Sequence, residues 1–204
     1  MSPLPSPPGV GDRAPDFALP AADGSGTLAL AEVCRRGPVL LVMLRGLYCP
    51  FCRRHISQLR PTCEAFRAAG LALLGIVIAS PERAQQYFRR FPACFPIAAA
   101  PDRAMHRAYG LTEAVRTPEM RQSAEQRAEK ALREMGLEAP AGQAGTIFAT
   151  AGGFEPTPED DAEYALPVQR MAYFLVGQDG VVRWTDVTGP LAESLDPAKL
   201  LALL

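Results

Sequence analysis

The chain has 204 residues, 48% of them hydrophobic, which is enough for one substantial core and too few for two full-sized domains. Its 21 Lys and Arg balance 22 Asp and Glu, and the net charge of -1 offers no basic surface to nucleic acid or anionic lipid. The proline-rich start lacks an export signal's apolar region, and the longest apolar run, residues 71–79, is too short to span a bilayer. We therefore expect a cytoplasmic protein with a flexible leader at residues 1–10 and a single domain at residues 11–204.

The first half of the chain predicts a strand, a helix and a second strand. Two short extended segments, residues 16–19 and 27–30, precede a continuous apolar run at residues 37–46 that is typical of a strand buried on both faces. An apolar stripe from Cys52 to Phe66 then predicts one helix ending at Gly70, with a kink near Ser57 because Pro61 lacks a backbone donor. Residues 71–80 form the next buried strand, so the unit predicts a right-handed crossover between parallel strands.

The later elements extend this α/β pattern. Ser80 and Pro81 are typical of a helix start, residues 95–100 predict a short strand, and residues 101–110 predict a short helix. Residues 171–177 and 181–187 predict an antiparallel hairpin, and residues 196–204 predict a closing helix. The order predicts a mixed central sheet covered by helices on both faces.

A different kind of segment lies at about residues 113–167, which we interpret as an insertion. Its first part carries a narrow Met and Ala stripe between Met120 and Met135 that predicts a helix. The remainder is rich in Gly and Pro and ends acidic, so we expect an extended insertion or lid. The partly helical insertion is therefore the unusual part of the predicted fold.

The strongest chemical signal is the stretch LRGLYCPFCRRHISQLR, residues 44–60. It places Cys49 at the start of the predicted helix, where unpaired N–H groups and the helix dipole favour a thiolate. Cys52 begins the apolar stripe one turn later, so it is expected to be the more buried sulfur. An accessible thiolate with a second thiol in reach suits dithiol chemistry, in which one sulfur attacks and the other captures the intermediate.

Two other interpretations of the cysteine pair are open. Zinc binding would require further ligands, and although His55 follows Cys52 by three residues, the sequence shows no second pair of ligands. The pair could also be two incidental core cysteines. Metal and cofactor sites are therefore not expected.

The remaining candidates carry weaker signals. Five cysteines without regular spacing disfavour a secreted disulfide framework, so we expect reduced thiols and a catalytic rather than a structural disulfide. Cys63 is expected to be a small buried hydrophobe, and His55 and His106 are expected on the surface. Cys34 and Cys94 are taken as structural or incidental. Two arginines are candidates for holding the thiolate: Arg45 at the strand exit and Arg170 before the late strand.

Several stretches of the sequence, together with the strand that ends at Cys49, resemble a known protein family. The stretches GDRAPDFALPAADG, DRAMHRAYGL and FLVGQDGVVRW, with the buried strand ending at Cys49, are similar to the alkyl hydroperoxide reductase and thiol-specific antioxidant group of peroxiredoxin-like proteins. The resemblance implies a thioredoxin-like fold and places Cys49 at the position of the peroxide-attacking cysteine. It also places Arg170 one residue from the family's active-site arginine. CPFC is additionally similar to the redox pair of glutaredoxin.

The motif departs from the family at two positions. Gly46 and Val42 stand where peroxiredoxins typically carry a hydroxyl residue and a proline. The family's hydrogen bond from that hydroxyl to the peroxide is therefore missing at Gly46. Met171 occupies the neighbourhood where a thioredoxin-type cis-proline would be expected.

The leading hypothesis is a thiol-dependent antioxidant oxidoreductase that reduces peroxides through a Cys49–Cys52 dithiol and disulfide cycle. Its partners would be a peroxide or disulfide substrate and an external thiol reductant of the thioredoxin or glutaredoxin type, with no nucleic acid or membrane and with a homodimer as a candidate assembly. One alternative is a thioredoxin- or glutaredoxin-like disulfide oxidoreductase that uses the same cysteines. Another is a redox-sensing interaction protein that docks a partner through residues 112–167.

Overall fold

A five-stranded mixed sheet forms the centre of the fold in the computed structural model, which describes residues 6–188. The strands are β1 Ala18–Pro20, β2 Thr27–Ala29, β3 Val39–Gly46, β4 Ala72–Ile78, β5 Ile97–Ala99, β6 Glu113–Ala114, β7 Val168–Gln169, β8 Ala172–Val176 and β9 Val182–Val187. The central sheet has the strand order β5-β4-β3-β8-β9, and two small antiparallel pairs, β1-β2 and β6-β7, lie outside it. The helices are α1 Leu30–Cys34, α2 Pro50–Gln58, α3 Cys63–Ala68, α4 Pro81–Arg90, α5 Ala104–Ala108, α6 Pro118–Glu134, α7 Ala144–Thr150 and α8 Pro158–Ala165.

Strand β3 organises both halves of the core because every residue in it is buried. It runs parallel to β4 and antiparallel to β8, and β4 is parallel to β5. Side chains alternate along a strand, so one face of β3 packs against α2, α3 and α4, and the other packs against α1 and α5. The predicted mixed sheet with helices on both faces is confirmed.

The predicted long helix from Cys52 to Phe66 is wrong in one respect. The chain forms α2, then a 3₁₀ turn at Arg60–Thr62, and then α3, so the interruption lies three residues beyond the expected kink at Ser57. Pro61 lies inside the turn, and without a backbone N–H it cannot continue the α-helical hydrogen-bond pattern. The apolar stripe nevertheless stays on the core side, because Ile56, Leu59 and Phe66 are all buried.

The insertion is more ordered than its composition predicts. Its ends meet in a short ladder that pairs Glu113 with Gln169. The part expected to be extended contains two helices. Helix α7 begins where the Glu125 carboxylate of α6 accepts from the backbone N–H groups of Ala144 and Gly145 at 2.6 and 2.8 Å, and helix α8 begins with a capping box at Thr157.

Buried ion pairs hold the insertion against the sheet domain. Arg83 of α4 contacts Asp160 of α8 at 2.7 Å, and both side chains are buried. Arg103 contacts Glu163 of α8 and also Glu113 at 3.0 Å. Breaking one partner of such a pair leaves a buried charge without its counterion, so these contacts fix where α8 docks.

The middle of the apolar stripe of α6 is covered within the chain, whereas Met135 at its end is exposed. Ala128 and Leu132 pack against Phe148 of α7, and Phe51 of α2 lies at the edge of the same cluster. This packing removes Ala128, Ala131 and Leu132 from the surface that a partner protein could contact, which weighs against the interaction hypothesis.

Three residues differ from their expected roles. Cys63 and Cys94 form a disulfide, so the expectation of reduced thiols at these positions is wrong. His106 is fully buried rather than exposed, and its Nε2 lies 2.8 Å from the Leu44 carbonyl. Burial lowers the pKa of His106 to about 4, so the ring is neutral and donates its Nε2–H to that carbonyl.

Two sequence-based expectations lie partly or wholly outside the described residues. The closing helix at residues 196–204 is one of them, and the leader at residues 1–10 is described only from residue 6. The division into a leader and a single domain stays a prediction. None of the helices in residues 6–188 combines the length and the apolar character that crossing a bilayer requires.

The Cys63–Cys94 bond should contribute substantially to stability, because it closes a loop between positions 31 residues apart. The chain-entropy model gives about 3–4 kcal/mol for a loop of this length. We expect Cys94→Ala to lower the free energy of unfolding by about this amount in urea titrations, and dithiothreitol to lower it in the wild type but not in Cys94→Ala. Cys34→Ala, which removes another buried thiol, should retain the sensitivity to dithiothreitol. Equal stability of the oxidised and reduced wild type would contradict a structural role.

Candidate active site

Cys49 occupies the junction between the central strand and helix α2. It is the N-cap residue of α2, and Pro50 takes the first helical position, where its missing N–H costs nothing. The Cys49 sulfur accepts a hydrogen bond from the backbone N–H of Cys52 at 3.3 Å. The sequence motif therefore folds into a thiol cap at the positive end of a helix.

The two cysteines of the motif differ in acidity. Burial alone would raise the pKa of Cys49, but hydrogen bonds from the thiol and backbone N–H of Cys52, together with the charges of Arg45 and Arg53, lower it to about 6. Burial, and then the hydrogen bond to Cys49 and its charge, raise the pKa of Cys52 well above its usual value. At neutral pH the arrangement favours a thiolate on Cys49 and a thiol on Cys52.

Both sulfurs are nearly inaccessible, which differs from the expectation of an exposed Cys49. Cys49 is 3% exposed and Cys52 is 2% exposed, and neither is in a disulfide. A pocket of about 120 Å³ opens over Cys49 and provides the approach to it. The pocket also contains Arg45 and Tyr48 from the β3–α2 connection, and side chains from the insertion form its opposite wall.

Arg45 lies where the sequence placed it, at the end of β3, but it is buried rather than solvent-exposed. Its Nη2 donates to the sulfur of Met171 at 3.4 Å, and the same Met171 sulfur lies 3.5 Å from the Cys52 sulfur. Burial disfavours the charge on Arg45, whereas the neighbouring cysteine sulfurs raise its pKa. Arg45 is thus a permanent cation inside the site.

Arg170 is not brought into the same arrangement. Its backbone N–H donates to Thr112, and among the described residues no hydrogen bond joins its side chain to Cys49 or Cys52. The pocket over Cys49 is lined by Arg45 and not by Arg170. A role for Arg170 in the site stays a prediction.

Arg53 is a site residue that the sequence reasoning missed. Its guanidinium donates to the carbonyl of Leu47 at 2.6 Å and to the carbonyl of Ala149 in α7, and it stacks over Phe154 at 3.6 Å. The side chain is 9% exposed, so its charge acts on Cys49 through little water. The only sequence signal was a basic residue directly after Cys52, which is more often a solvated side chain.

His55 is buried as well, so its expected surface position is wrong. Its Nε2 lies 3.0 Å from the Tyr173 hydroxyl, and burial lowers the pKa of His55 to about 4. The His55 ring packs edge-on to the Tyr173 ring of β8, with 5.6 Å between the ring centroids, and the apolar stripe alone did not indicate this second buried side of α2. Within residues 6–188, no group of three or more His, Cys, Asp or Glu side chains is arranged to hold a metal.

Gly46 departs from the family pattern for a packing reason. A Cβ at Gly46 would lie 2.7 Å from the Tyr48 ring and 3.1 Å from the Glu163 side chain. Any larger residue there would displace Tyr48, which lines the pocket over Cys49. The Tyr48 hydroxyl is buried and has no hydrogen-bond partner among the described residues.

The comparisons with known proteins identify the family. Residues 10–141, more than half of the chain, match the AhpC/TSA family. The chain belongs to the AhpC/TSA family. Two Mycobacterium tuberculosis sequences, one from each of two strains and both named as peroxiredoxins, are 32% identical to it over 100 residues. The aligned part is 49% of this chain and 62% of each relative, so the chain spans less than two thirds of their length.

Solved structures support the thioredoxin-like, peroxiredoxin-type fold. A reduced 2-Cys peroxiredoxin of Plasmodium vivax superposes with a TM-score of 0.60 at 16% identity, covering 96% of this chain and 79% of the other. A protein described as a thiol:disulfide interchange protein of Chlorobium tepidum superposes with a TM-score of 0.55 at 18% identity, covering 96% and 93%. At these identities the similarity concerns the fold alone. One of these two structures is described as a peroxiredoxin and the other as a thiol:disulfide interchange protein, so the fold does not decide between the two reactions.

We expect Arg53→Met to raise the pKa of Cys49, because the variant removes a buried cation that stabilises the thiolate. Alkylation of Cys49 by iodoacetamide, followed by mass spectrometry at pH 5 to 9.5, should slow on the order of fivefold at pH 5, by less at pH 7, and converge with the wild type at high pH. Arg54→Gln is the matched control, since Arg54 lies on the same helix but pairs with Glu134. An unchanged pH midpoint in Arg53→Met would contradict this role of Arg53.

Proposed function

We propose that this protein is a thiol-dependent peroxidase in which Cys49 attacks the peroxide and Cys52 resolves the product. The observation that carries the proposal is the lowered pKa of Cys49, achieved in a buried position where desolvation opposes it. Such a perturbed group at the end of a pocket is typical of a catalytic nucleophile. Membership of the AhpC/TSA family supports the same chemistry.

The proposed cycle uses the asymmetry of the two sulfurs. The Cys49 thiolate attacks the terminal oxygen of the peroxide, the O–O bond breaks, and the departing alkoxide or hydroxide takes a proton from solvent. The Cys52 thiol then condenses with the Cys49 sulfenic acid, which forms the disulfide and releases water. An external thiol pair, of the thioredoxin or glutaredoxin type, restores both thiols and is itself oxidised to a disulfide.

Two further groups are assigned roles in the oxidation step. Arg45 lies beside both sulfurs and lines the pocket, so its charge stabilises the negative charge that moves onto the peroxide oxygens. The Tyr48 hydroxyl is assigned as the donor that orients the peroxide, because it is buried in the same pocket without a partner among the described residues. In this assignment the Tyr48 hydroxyl donates the hydrogen bond to the peroxide that a hydroxyl residue at position 46 donates in typical peroxiredoxins.

Disulfide exchange with the same residues is the second candidate. A CPFC pair at a helix start is the arrangement that thiol:disulfide exchange also uses, and the fold permits it. The low exposure of Cys49 favours the peroxidase, because a small peroxide enters a pocket of about 120 Å³ more readily than a protein disulfide does. The rate of peroxide consumption compared with the rate of insulin reduction separates the two.

The proposed location is the cytoplasm, which remains a prediction. The free thiols of Cys34, Cys49 and Cys52 favour it, whereas the Cys63–Cys94 disulfide weighs against it, because disulfides persist mainly in oxidising compartments. Acid trapping from cells would show whether Cys63 and Cys94 are reduced, as expected in the cytoplasm, or oxidised, as expected in an oxidising compartment. A homodimer also remains a prediction, and light scattering of the purified chain would test it.

The cysteine roles make a direct prediction for oxidation by one equivalent of hydrogen peroxide. Wild type should lose two hydrogens as the Cys49–Cys52 bond forms, and Cys52→Ser should gain one oxygen on Cys49, because no thiol is present to capture the sulfenic acid. Cys49→Ser should show neither change, and Cys34→Ala should behave like the wild type. Intact-mass and peptide mass spectrometry read out each outcome. If wild type consumes peroxide no faster than a free thiol does, the peroxidase proposal fails.

The role of Tyr48 predicts that Tyr48→Phe lowers kcat/KM for hydrogen peroxide about tenfold, because one hydrogen bond made in the transition state is lost. The pH midpoint of Cys49 alkylation should stay within experimental error, since the phenol is not among the groups that lower the pKa of Cys49. Stopped-flow peroxide kinetics and alkylation profiles measure the two quantities. A matched control is Tyr164→Phe, whose ring packs edge-on to that of Tyr48. Full activity of Tyr48→Phe would remove Tyr48 from the mechanism.

A further inference from the structure

A second pocket lies between α2, α4 and α7. It has a volume of about 510 Å³, and among the described residues it shares only Pro50 with the pocket over Cys49. Four aromatic rings line it, those of Tyr87, Phe91, Phe148 and Phe154. Volumes of this size are typical of small-molecule sites, and aromatic walls favour a flat ring between them.

The charge of this pocket has one sign. It is lined by four arginines, whereas no Asp or Glu within residues 6–188 lines it, and we call it the arginine pocket; the four are Arg53, Arg54, Arg60 and Arg90. Arg54 and Arg90 have carboxylate partners outside the lining, Glu134 and Glu155. The Arg90 pair is 3.7 Å long and both of its side chains are more than half exposed, so water weakens it.

The other two arginines, Arg53 and Arg60, donate only to backbone carbonyls in the described part of the chain. Arg60 is exposed and donates to the carbonyl of Pro92. Arg53 is 9% exposed and donates to the carbonyls of Leu47 and Ala149. A carbonyl satisfies an N–H group but does not neutralise its charge, so a buried and an exposed cation both favour an anion in this pocket.

We propose that the arginine pocket binds an aromatic phosphate monoester, with the ring against the aromatic wall and the phosphate in contact with Arg60, and that its occupancy is coupled to the charge on Cys49 through Arg53. A planar guanidinium matches two phosphate oxygens. A dianion also suits a pocket with several cations and no lining carboxylate better than a monoanion does. The site lies apart from the pocket over Cys49, so it does not depend on the proposed peroxidase function.

Arg53 connects the two sites. It lines the arginine pocket, lies one helical turn after Cys49, and carries one of the charges that stabilise the Cys49 thiolate. Two anions that share one buried cation repel each other and compete for its charge, so a bound phosphate and the thiolate each weaken the other. The phosphate ligand is therefore expected to bind more tightly when the residue at position 49 carries no charge.

Adenosine monophosphate, adenosine and inorganic phosphate provide a matched test of the site, because each of the last two lacks one half of the proposed ligand. Isothermal titration should show that reduced wild type binds adenosine monophosphate about tenfold more tightly than either. Arg60→Gln should weaken this binding about fivefold, since a charged contact is lost. Arg67→Gln, an exposed arginine of α3 that does not line the pocket, should keep the wild-type affinity. Binding no tighter than that of adenosine or of inorganic phosphate, or wild-type affinity in Arg60→Gln, overturns the site.

The coupling is tested by the same titration on Cys49→Ser, which removes the charge at position 49 without changing the lining of the arginine pocket. At pH 8 this variant should bind adenosine monophosphate about threefold more tightly than reduced wild type does. Cys34→Ala, which removes a thiol elsewhere in the core, should bind like the wild type. Equal affinities of Cys49→Ser and wild type would overturn the coupling through Arg53. No peroxide enters these titrations, so their outcome is independent of the peroxidase proposal.

Discussion

The stabilisation of a negative sulfur in a buried position is the constraint on which the rest of this structure depends. Removing a thiolate from water is unfavourable, and burial is the largest influence on the pKa of Cys49. The protein offsets it with four local contributions: the Cys52 thiol, the Cys52 backbone N–H, Arg45 and Arg53. Three of these come from the first turn of α2 and the fourth from the end of β3, so the acidity of one sulfur depends on the junction between that strand and that helix.

The insertion contributes to the chemistry at two levels. It supplies one wall of the pocket over Cys49, and through Ala149 and Phe154 it holds the guanidinium of Arg53 in place. Its own position is fixed by the buried pairs of Arg83 with Asp160 and Arg103 with Glu163. Substrate access and nucleophile acidity are therefore set by the same docked segment, although it contains neither cysteine.

The sequence predicted the parts of the fold that local patterns determine. Strand β3, the Ser80 cap of α4 and the hairpin of β8 and β9 follow from apolar runs, capping residues and turn residues, and each lies within a few residues of its predicted position. Helix α7 was not predicted, because its sequence has a glycine and two threonines and its start is capped by Glu125 from another helix. Tertiary contacts outweigh local propensity in that case.

The same distinction applies to the site. The Cys49 cap, the position of Cys52 one turn later and the nearby Arg45 could be inferred from a strand followed by a helix. Arg53 could not, because its partner Ala149 lies 96 positions away in the sequence. The burial of His55 against Tyr173 and the pairing of Cys63 with Cys94 likewise depend on segments that the fold, and no local pattern, brings together.

The charge balance of the site also differs between its reduced and oxidised forms. In the reduced form, the Cys49 thiolate is the counter-charge for the two buried guanidinium groups of Arg45 and Arg53. A disulfide between Cys49 and Cys52 carries no charge, so the same two cations would stay buried without that anion, which is unfavourable in a poorly hydrated site. By linkage, the arginines that lower the pKa of Cys49 also stabilise the reduced state relative to the disulfide. A dithiol whose reduced form is stabilised in this way is a stronger oxidant once oxidised, so the groups that prepare Cys49 for attack also favour its return to the thiol.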